Sequence, residues 1–191
     1  ICSPDRSALS MAARSAWLPL SIGLLAGAAL AYQVLLFRLL AIVQWHPFAA
    51  MIISLALLGH GAAGTVLAVA GRRLLPRFAA VYAAGAALFA LSVLLCWSLA
   101  QRLPFNCLEL VWAPGELRWL AGMFLLLALP FFFAAICFGL AFMHAGRRIP
   151  LLYAADLLGA GAGAGAAIAL LFALPPADAL RATAVLGAAA A

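Results

Sequence analysis

Five polar side chains lie within long apolar stretches of this sequence, and they are the side chains best placed to do chemistry. They are Tyr32, Gln33, Arg38, His60 and Asp156. An ionisable group inside a membrane-spanning segment is costly to insert, so it indicates a functional site unless a structural partner accounts for it. We take the five residues as a candidate intramembrane polar site, suited to ligand binding or proton transfer.

Asp156 is the strongest of these candidates, because it is the one charged residue within its apolar run. It lies about two helical turns beyond Pro150, which marks a membrane boundary. One interpretation makes its carboxylate a ligand or proton site. The other makes it structural, either paired with Arg72, Arg73 or Arg147 or bonded between helices. The sequence leaves both interpretations open.

Four glycines follow Asp156 and allow two structural interpretations. Gly159, Gly161, Gly163 and Gly165 loosely match a dinucleotide-binding turn. That turn needs a preceding strand, and the acid expected downstream follows a Pro-Pro break instead. On a helix, residues four apart share a face, so these glycines form two small-residue grooves on nearly opposite faces. The sequence therefore predicts a helix packed on both sides at the centre of a bundle.

The histidines and cysteines do not suggest a ligand cluster. His46 and His60 are fourteen residues apart, a spacing that can hold two stacked haems, but the chain has only 3 histidines, fewer than two haems require. A single haem between His60 and His144 would need ligands at different depths. We expect no cofactor and no metal in this segment. Cys96 and Cys107 are both expected outside the cytoplasm, where a disulfide could persist.

The composition indicates which elements must hold these residues. The chain has 191 residues, 69% hydrophobic and 8% charged, whereas soluble domains carry about 25% charged residues. Its apolar runs are each near the roughly 20 residues that cross a bilayer. We predict an all-α fold, a polytopic transmembrane helix bundle with five complete helices and a truncated sixth. The predicted helices are residues 17–40, 48–70, 79–99, 119–142 and 151–174, with the sixth at 177–191.

The arginines predict the topology. All 11 basic residues are arginine, and most of them fall in the N-terminal segment and in the second and fourth connections. By the positive-inside rule these parts face the cytoplasm. Residues 1–16 would then be a cytoplasmic segment, in which residues 1–10 need not be native because Met11 is a plausible initiator. We expect an integral protein of a bacterial inner membrane, with no ground for nucleic acid as a partner.

Three segments carry a resemblance to a known family. They are YQVLLFRLL at 32–40, MIISLALLGHGAAGTVLAVAGRR at 51–73 and LLYAADLLGAGAGA at 151–164. They resemble the membrane-embedded N-terminal domain of spermidine-synthase-like proteins. In that family a helix bundle precedes a cytoplasmic domain of the S-adenosylmethionine-dependent transferase fold. Many relatives carry an acid after the tyrosine of the first helix, where this chain has Gln33.

The resemblance implies a function for the bundle and a second domain beyond it. A polyamine-related transferase domain would follow residue 191 and would hold the catalytic and cofactor residues, so none is assigned here. The leading hypothesis is a membrane domain that anchors this transferase and binds or passes its substrate. The alternatives are a small proton-coupled transporter or exporter using Asp156 and His60, and a structural membrane subunit.

Overall fold

The computed structural model describes residues 6–43, 46–100, 116–173 and 176–191. Every described residue except Ala190 and Ala191 is helical. The α-helices are α1 Arg6–Val43, α2 His46–Leu74, α3 Phe78–Ala100, α4 Glu116–Ala145, α5 Ile149–Ala173 and α6 Pro176–Ala189. Two short 3₁₀ helices join α2 to α3 and α4 to α5; they are Leu75–Arg77 and Gly146–Arg148. The predicted all-α class is confirmed.

Four stretches are long and apolar enough to cross a membrane. They are Trp17–Ala41, Met51–Cys96, Leu117–Ala145 and Ile149–Ala173. The second is 46 residues long and contains most of both α2 and α3. The length and composition of these helices make the chain an integral membrane protein. The count differs from the predicted five complete spans and truncated sixth: four stretches qualify, because one of them contains most of both α2 and α3. α6 has 14 residues, about 21 Å against a hydrocarbon core of roughly 30 Å.

The first four helices extend beyond their predicted apolar runs. α2, for example, was expected over residues 48–70 and runs to Leu74, with Arg72 and Arg73 in its last turn. A helix does not end where hydrophobicity ends, because long basic side chains can reach from its last turn to the interface. The connection at residues 101–115, with Cys107, lies outside the described residues, so the Cys96–Cys107 pairing stays a prediction.

Contacts along α4 define the direction of its neighbours. Gly59 of α2 lies against Phe131, and Gly71 lies against Met143, so α2 and α4 run parallel. Phe78, the first residue of α3, stacks on His144 near the end of α4. α3 therefore runs antiparallel to α2 and α4. The turn between α2 and α3 and the end of α4 therefore lie at one end of the bundle.

That end carries exposed basic side chains. They are Arg72, Arg73, Arg77 and Arg148, and we call it the arginine end. The chain leaves α4 there through Gly146, whose φ of 52° lies in the left-handed region that glycine adopts without a steric penalty. This reversal sends α5 back across the bundle beside α1.

α1 and α4 form the centre of the bundle. α4 packs most extensively against α2 and α3, and α1 packs against α5, α6 and α2. The largest fully buried side chains of the two central helices include Tyr32, Leu35, Leu127 and Phe131. The core is thus built mainly from aliphatic and aromatic side chains of the two central helices.

Matched glycines bring α5 into close contact with α1. A Cβ placed on Gly159 would overlap the backbone of Gly23, and one placed on Gly163 would overlap that of Gly27. The two helices run parallel, since both contacts advance along each chain together. Small residues at this spacing allow helix backbones in a membrane to approach closely. The predicted 159/163 groove is therefore occupied by α1.

The opposite face of α5 has no such neighbour. A Cβ on Gly161 or Gly165 would meet nothing within 4 Å, and only 11% of the α5 span is buried. The prediction of a central helix gripped on both sides is therefore wrong: α5 lies at the edge of the bundle, because its packing is almost entirely with α1. α5 is also helical through all four glycines, so this segment does not form the strand and turn of a dinucleotide-binding motif.

Candidate functional site

A cavity of about 320 Å³ lies between α1, α2, α4 and α5. Its polar lining comes from three different helices: Gln33 from α1, His60 from α2 and Asp156 from α5. The other lining residues are Ala26, Ala29, Leu30, Phe131, Phe138, Phe142 and Ala160. The structure therefore brings three of the five predicted site residues to one cavity.

Asp156 reaches the cavity because of the way α5 leans on α1. Gly159 and Gly163, which follow Asp156 by three and seven residues, face α1. Side chains at this spacing lie along the same flank of a helix, so Asp156 is held beside α1 and is half-buried. The glycine contact thus positions the carboxylate as well as joining the two helices.

His60 faces the same cavity as Asp156. Both side chains line it, but they form no ion pair within 4 Å. Neither Arg72 nor Arg73 forms an ion pair with Asp156, and the side chain of Arg147 lies outside the described part of the chain. The cavity position of Asp156 is therefore established, and structural pairing with Arg147 stays open.

The His60 ring is oriented by its own helix. Its Nδ1 lies 2.7 Å from the carbonyl oxygen of Ala56, one turn earlier in α2. In the neutral ring Nδ1 then donates to that oxygen, which leaves Nε2 as an acceptor. The side chain is exposed, because α2 and α5 have little contact with each other beside the cavity.

Gln33 lies where the cavity meets a second, smaller space. This apolar groove, between α1 and α2, has a volume of about 250 Å³. The two spaces share Leu30 and Gln33 in their linings. The rest of the groove is lined by Val34, Phe37, Ile52 and Ile53. Gln33 is thus the polar residue at the junction of a polar cavity and an apolar groove.

Three phenylalanines of α4 form one wall of the cavity, and sequence reasoning missed them. Phe131, Phe138 and Phe142 follow one another at intervals of seven and four residues, the spacing that places side chains on one helix face. That spacing was the available signal, but a phenylalanine in an apolar helix is ordinarily only a packing residue. Aromatic faces attract cations, so this wall adds to the chemistry of the site.

Tyr32 supports this wall without reaching the cavity. Its ring centroid lies 5.2 Å from that of Phe131, and its hydroxyl donates to the carbonyl oxygen of Leu127 over 3.4 Å. The side chain is fully buried. Tyr32 was predicted as a site residue, and the structure places it behind Phe131 as a packing residue.

Arg38 is not brought to the site either. It is exposed and lines neither the cavity nor the groove. Arg38 follows Gln33 by five residues, and five residues turn a helix about 140° past a full rotation. The side chain therefore faces away from Gln33, which agrees with an interfacial arginine better than with a cavity residue.

His144 does not join His60. His144 stacks on Phe78, with ring centroids 4.2 Å apart and planes within 4°, and the side chain of His46 lies outside the described part. Among the residues that the structure describes, no group of three or more His, Cys, Asp and Glu side chains could hold a metal ion. The expectation that this segment holds no cofactor stays a prediction.

No protein-family model, curated protein or solved structure matches this chain. The chemistry of the site must therefore be argued from its own residues. A carboxylate, an amide, an imidazole acceptor and an aromatic wall together offer acceptors and a negative charge to one ligand. An ammonium group fits this set best, because it donates hydrogen bonds to carboxylate and amide oxygens and is attracted by phenyl faces.

Proposed function

We propose that this chain is a membrane domain that binds a small amine-bearing ligand in the cavity lined by Gln33, His60 and Asp156. The observation that carries the proposal is the meeting of polar groups from three helices in one space of an otherwise apolar bundle. Polar side chains within a membrane protein are costly and mark ligand or ion sites. A bundle with a packing role alone would have no reason to gather them around a cavity.

The resemblance to spermidine-synthase-like proteins extends this proposal to the whole protein. The bundle would anchor a cytoplasmic S-adenosylmethionine-type transferase domain and bind or pass its polyamine substrate or product. The arginine end would face the cytoplasm of a bacterium, as the positive-inside rule requires. The reading frame beyond Ala191 tests the anchor: a strand, a Gly-rich turn and an acid within about a hundred residues support it, and an early stop codon contradicts it.

Ligand binding is tested by equilibrium titration of the protein in lipid nanodiscs with spermidine and with n-butylammonium. Asp156→Asn should weaken binding of an amine by roughly tenfold, since it removes a charge-assisted hydrogen bond. Asp178→Asn is the matched control, because Asp178 pairs with Arg181 on α6, away from the cavity. It should change the affinity by less than about twofold. Equal affinities in all three proteins would exclude the cavity as the binding site.

A proton-coupled transporter is the second candidate, favoured by two observations. Asp156 and His60 share the cavity, and the adjoining groove extends this space along α1 past Gln33. Polyamine flux into vesicles under a pH gradient would separate the two functions. Equal pH-driven rates for wild type and Asp156→Asn would remove Asp156 from a transport mechanism. A purely structural subunit, the third candidate, would neither bind nor carry the amine.

A further inference from the structure

The polar cavity and the apolar groove together have the form of a site for an amphiphile. We infer that the ligand carries an ammonium head group, held among Gln33, His60 and Asp156, and an alkyl chain that lies in the groove between α1 and α2. This inference rests on the proposed function, because it takes amine binding in the cavity as given. It adds the chemical class of the ligand and the side from which the ligand arrives.

The polar cavity and the apolar groove adjoin. The cavity of about 320 Å³ and the groove of about 250 Å³ share two lining residues, Leu30 and Gln33. A ligand whose chain passes Leu30 and Gln33 would occupy both. A ligand confined to the head-group cavity would leave the groove to lipid.

The lining changes from polar to apolar along the cavity and the groove. At one end Asp156 and His60 supply a carboxylate and an imidazole. Past Gln33, every lining residue of the groove is aliphatic or aromatic. A hydrophilic amine of uniform polarity would leave half of this space unmatched, whereas a molecule with a cationic head and an apolar tail matches both halves.

The gap between α2 and α5 would give a ligand lateral access from the bilayer to the cavity. α2 and α5 flank the cavity with little contact between them, and His60 on α2 is exposed. Phe37 and Ile53 of the groove are 49% and 59% exposed, on a surface that faces lipid in a membrane-spanning bundle. A ligand dissolved in the lipid phase can reach the site sideways through this gap.

The large apolar groove on the other flank of α5 provides an internal comparison. It measures about 600 Å³ and is lined by α1, α5 and Leu186, entirely by apolar and small residues. An alkyl chain could lie there, but no side chain could bind a head group. Of these two grooves, the one between α1 and α2 adjoins the cavity that holds a carboxylate, which is why we assign the amphiphile to that side.

The test compares two amines with the same head group, n-butylammonium and n-decylammonium, in titrations of nanodisc-embedded protein. Ile53→Trp fills the groove from α2, and Val34→Phe narrows it from α1. Val69→Trp is the matched control, because Val69 is an 83% exposed residue of the same helix that lines neither space. The longer amine partitions more strongly into lipid in every sample, so each comparison is made between variants and corrected with empty nanodiscs.

We expect Ile53→Trp to weaken n-decylammonium binding by roughly tenfold and n-butylammonium binding by less than about twofold, with Val69→Trp close to wild type. Val34→Phe should act in the same direction, which keeps the test decisive if Ile53→Trp does not fold. If both groove variants leave both amines unaffected while Asp156→Asn weakens both, the amphiphile is excluded and the proposed function stands. If neither amine binds above empty nanodiscs, the proposed function fails and this inference fails with it.

Discussion

At the level of single residues, helix rotation decides which polar side chains act together. Tyr32 and Gln33 are adjacent in sequence, yet Gln33 lines the cavity and Tyr32 is buried behind Phe131, because neighbouring residues point about 100° apart on a helix. Sequence reasoning could select both, since each is polar within an apolar run. It could not separate them, since the direction of each side chain depends on where α4 and α5 pack.

Tyr32 should therefore matter through its ring and not through its hydroxyl. The hydrogen bond from its hydroxyl to Leu127 is 3.4 Å long, so Tyr32→Phe should change the free energy of unfolding by less than about 1 kcal/mol. Tyr32→Ala should cost about 3–5 kcal/mol, because it leaves a void beside Phe131. Equilibrium unfolding in detergent measures both changes. A loss for Tyr32→Phe as large as that for Tyr32→Ala would assign the hydroxyl a role that this packing does not contain.

At the level of helices, the sequence predicts where the helices lie along the chain well and how they pack poorly. Apolar run length placed the long helices within a few residues at most ends, because crossing a bilayer sets a minimum length. The glycine spacing predicted two usable faces on α5. Which face is used could not be predicted, because 159/163 and 161/165 have the same spacing, and Gly23 and Gly27 of α1 meet only the first pair.

This asymmetry predicts opposite outcomes for matched substitutions. Gly159→Val or Gly163→Val should destabilise the protein by about 1–3 kcal/mol, because a side chain there meets the backbone of α1. Gly161→Val and Gly165→Val add the same side chain to the same helix in open space, and each should stay within about 0.5 kcal/mol of wild type. Unfolding free energies of the four variants decide the matter, and equal losses at all four positions would contradict the α1–α5 contact.

At the level of the whole molecule, composition alone was enough to predict a membrane protein. The 8% of charged residues cannot cover a soluble surface, and the structure supplies the apolar spans. The cavity could not be predicted as such, because its lining comes from four helices that are far apart in sequence. Three of its members were recognisable in advance as polar residues in apolar surroundings.

Orientation in the membrane is a prediction at this scale. The basic residues Arg72, Arg73, Arg77 and Arg148 share one end of the bundle, and we expect that end in the cytoplasm. A reporter fused after Arg77 should be active only as a cytoplasmic fusion, and one fused after Asn106 only as an exported fusion. A cytoplasmic signal at Asn106 would reverse the orientation and, with it, the side on which a transferase domain could be anchored.

We propose that Asp156, His60 and Gln33 form one binding site and that Arg38 lies outside it. The most direct test is a double-mutant cycle on n-decylammonium binding that combines Asp156→Asn with His60→Gln. We expect a coupling of about 0.5–3 kcal/mol, because both side chains would face the same ligand. The matched cycle of Asp156→Asn with Arg38→Gln should be additive within about 0.5 kcal/mol. Additivity in the His60 cycle, or coupling in the Arg38 cycle alone, would show that Asp156 and His60 do not share a binding site.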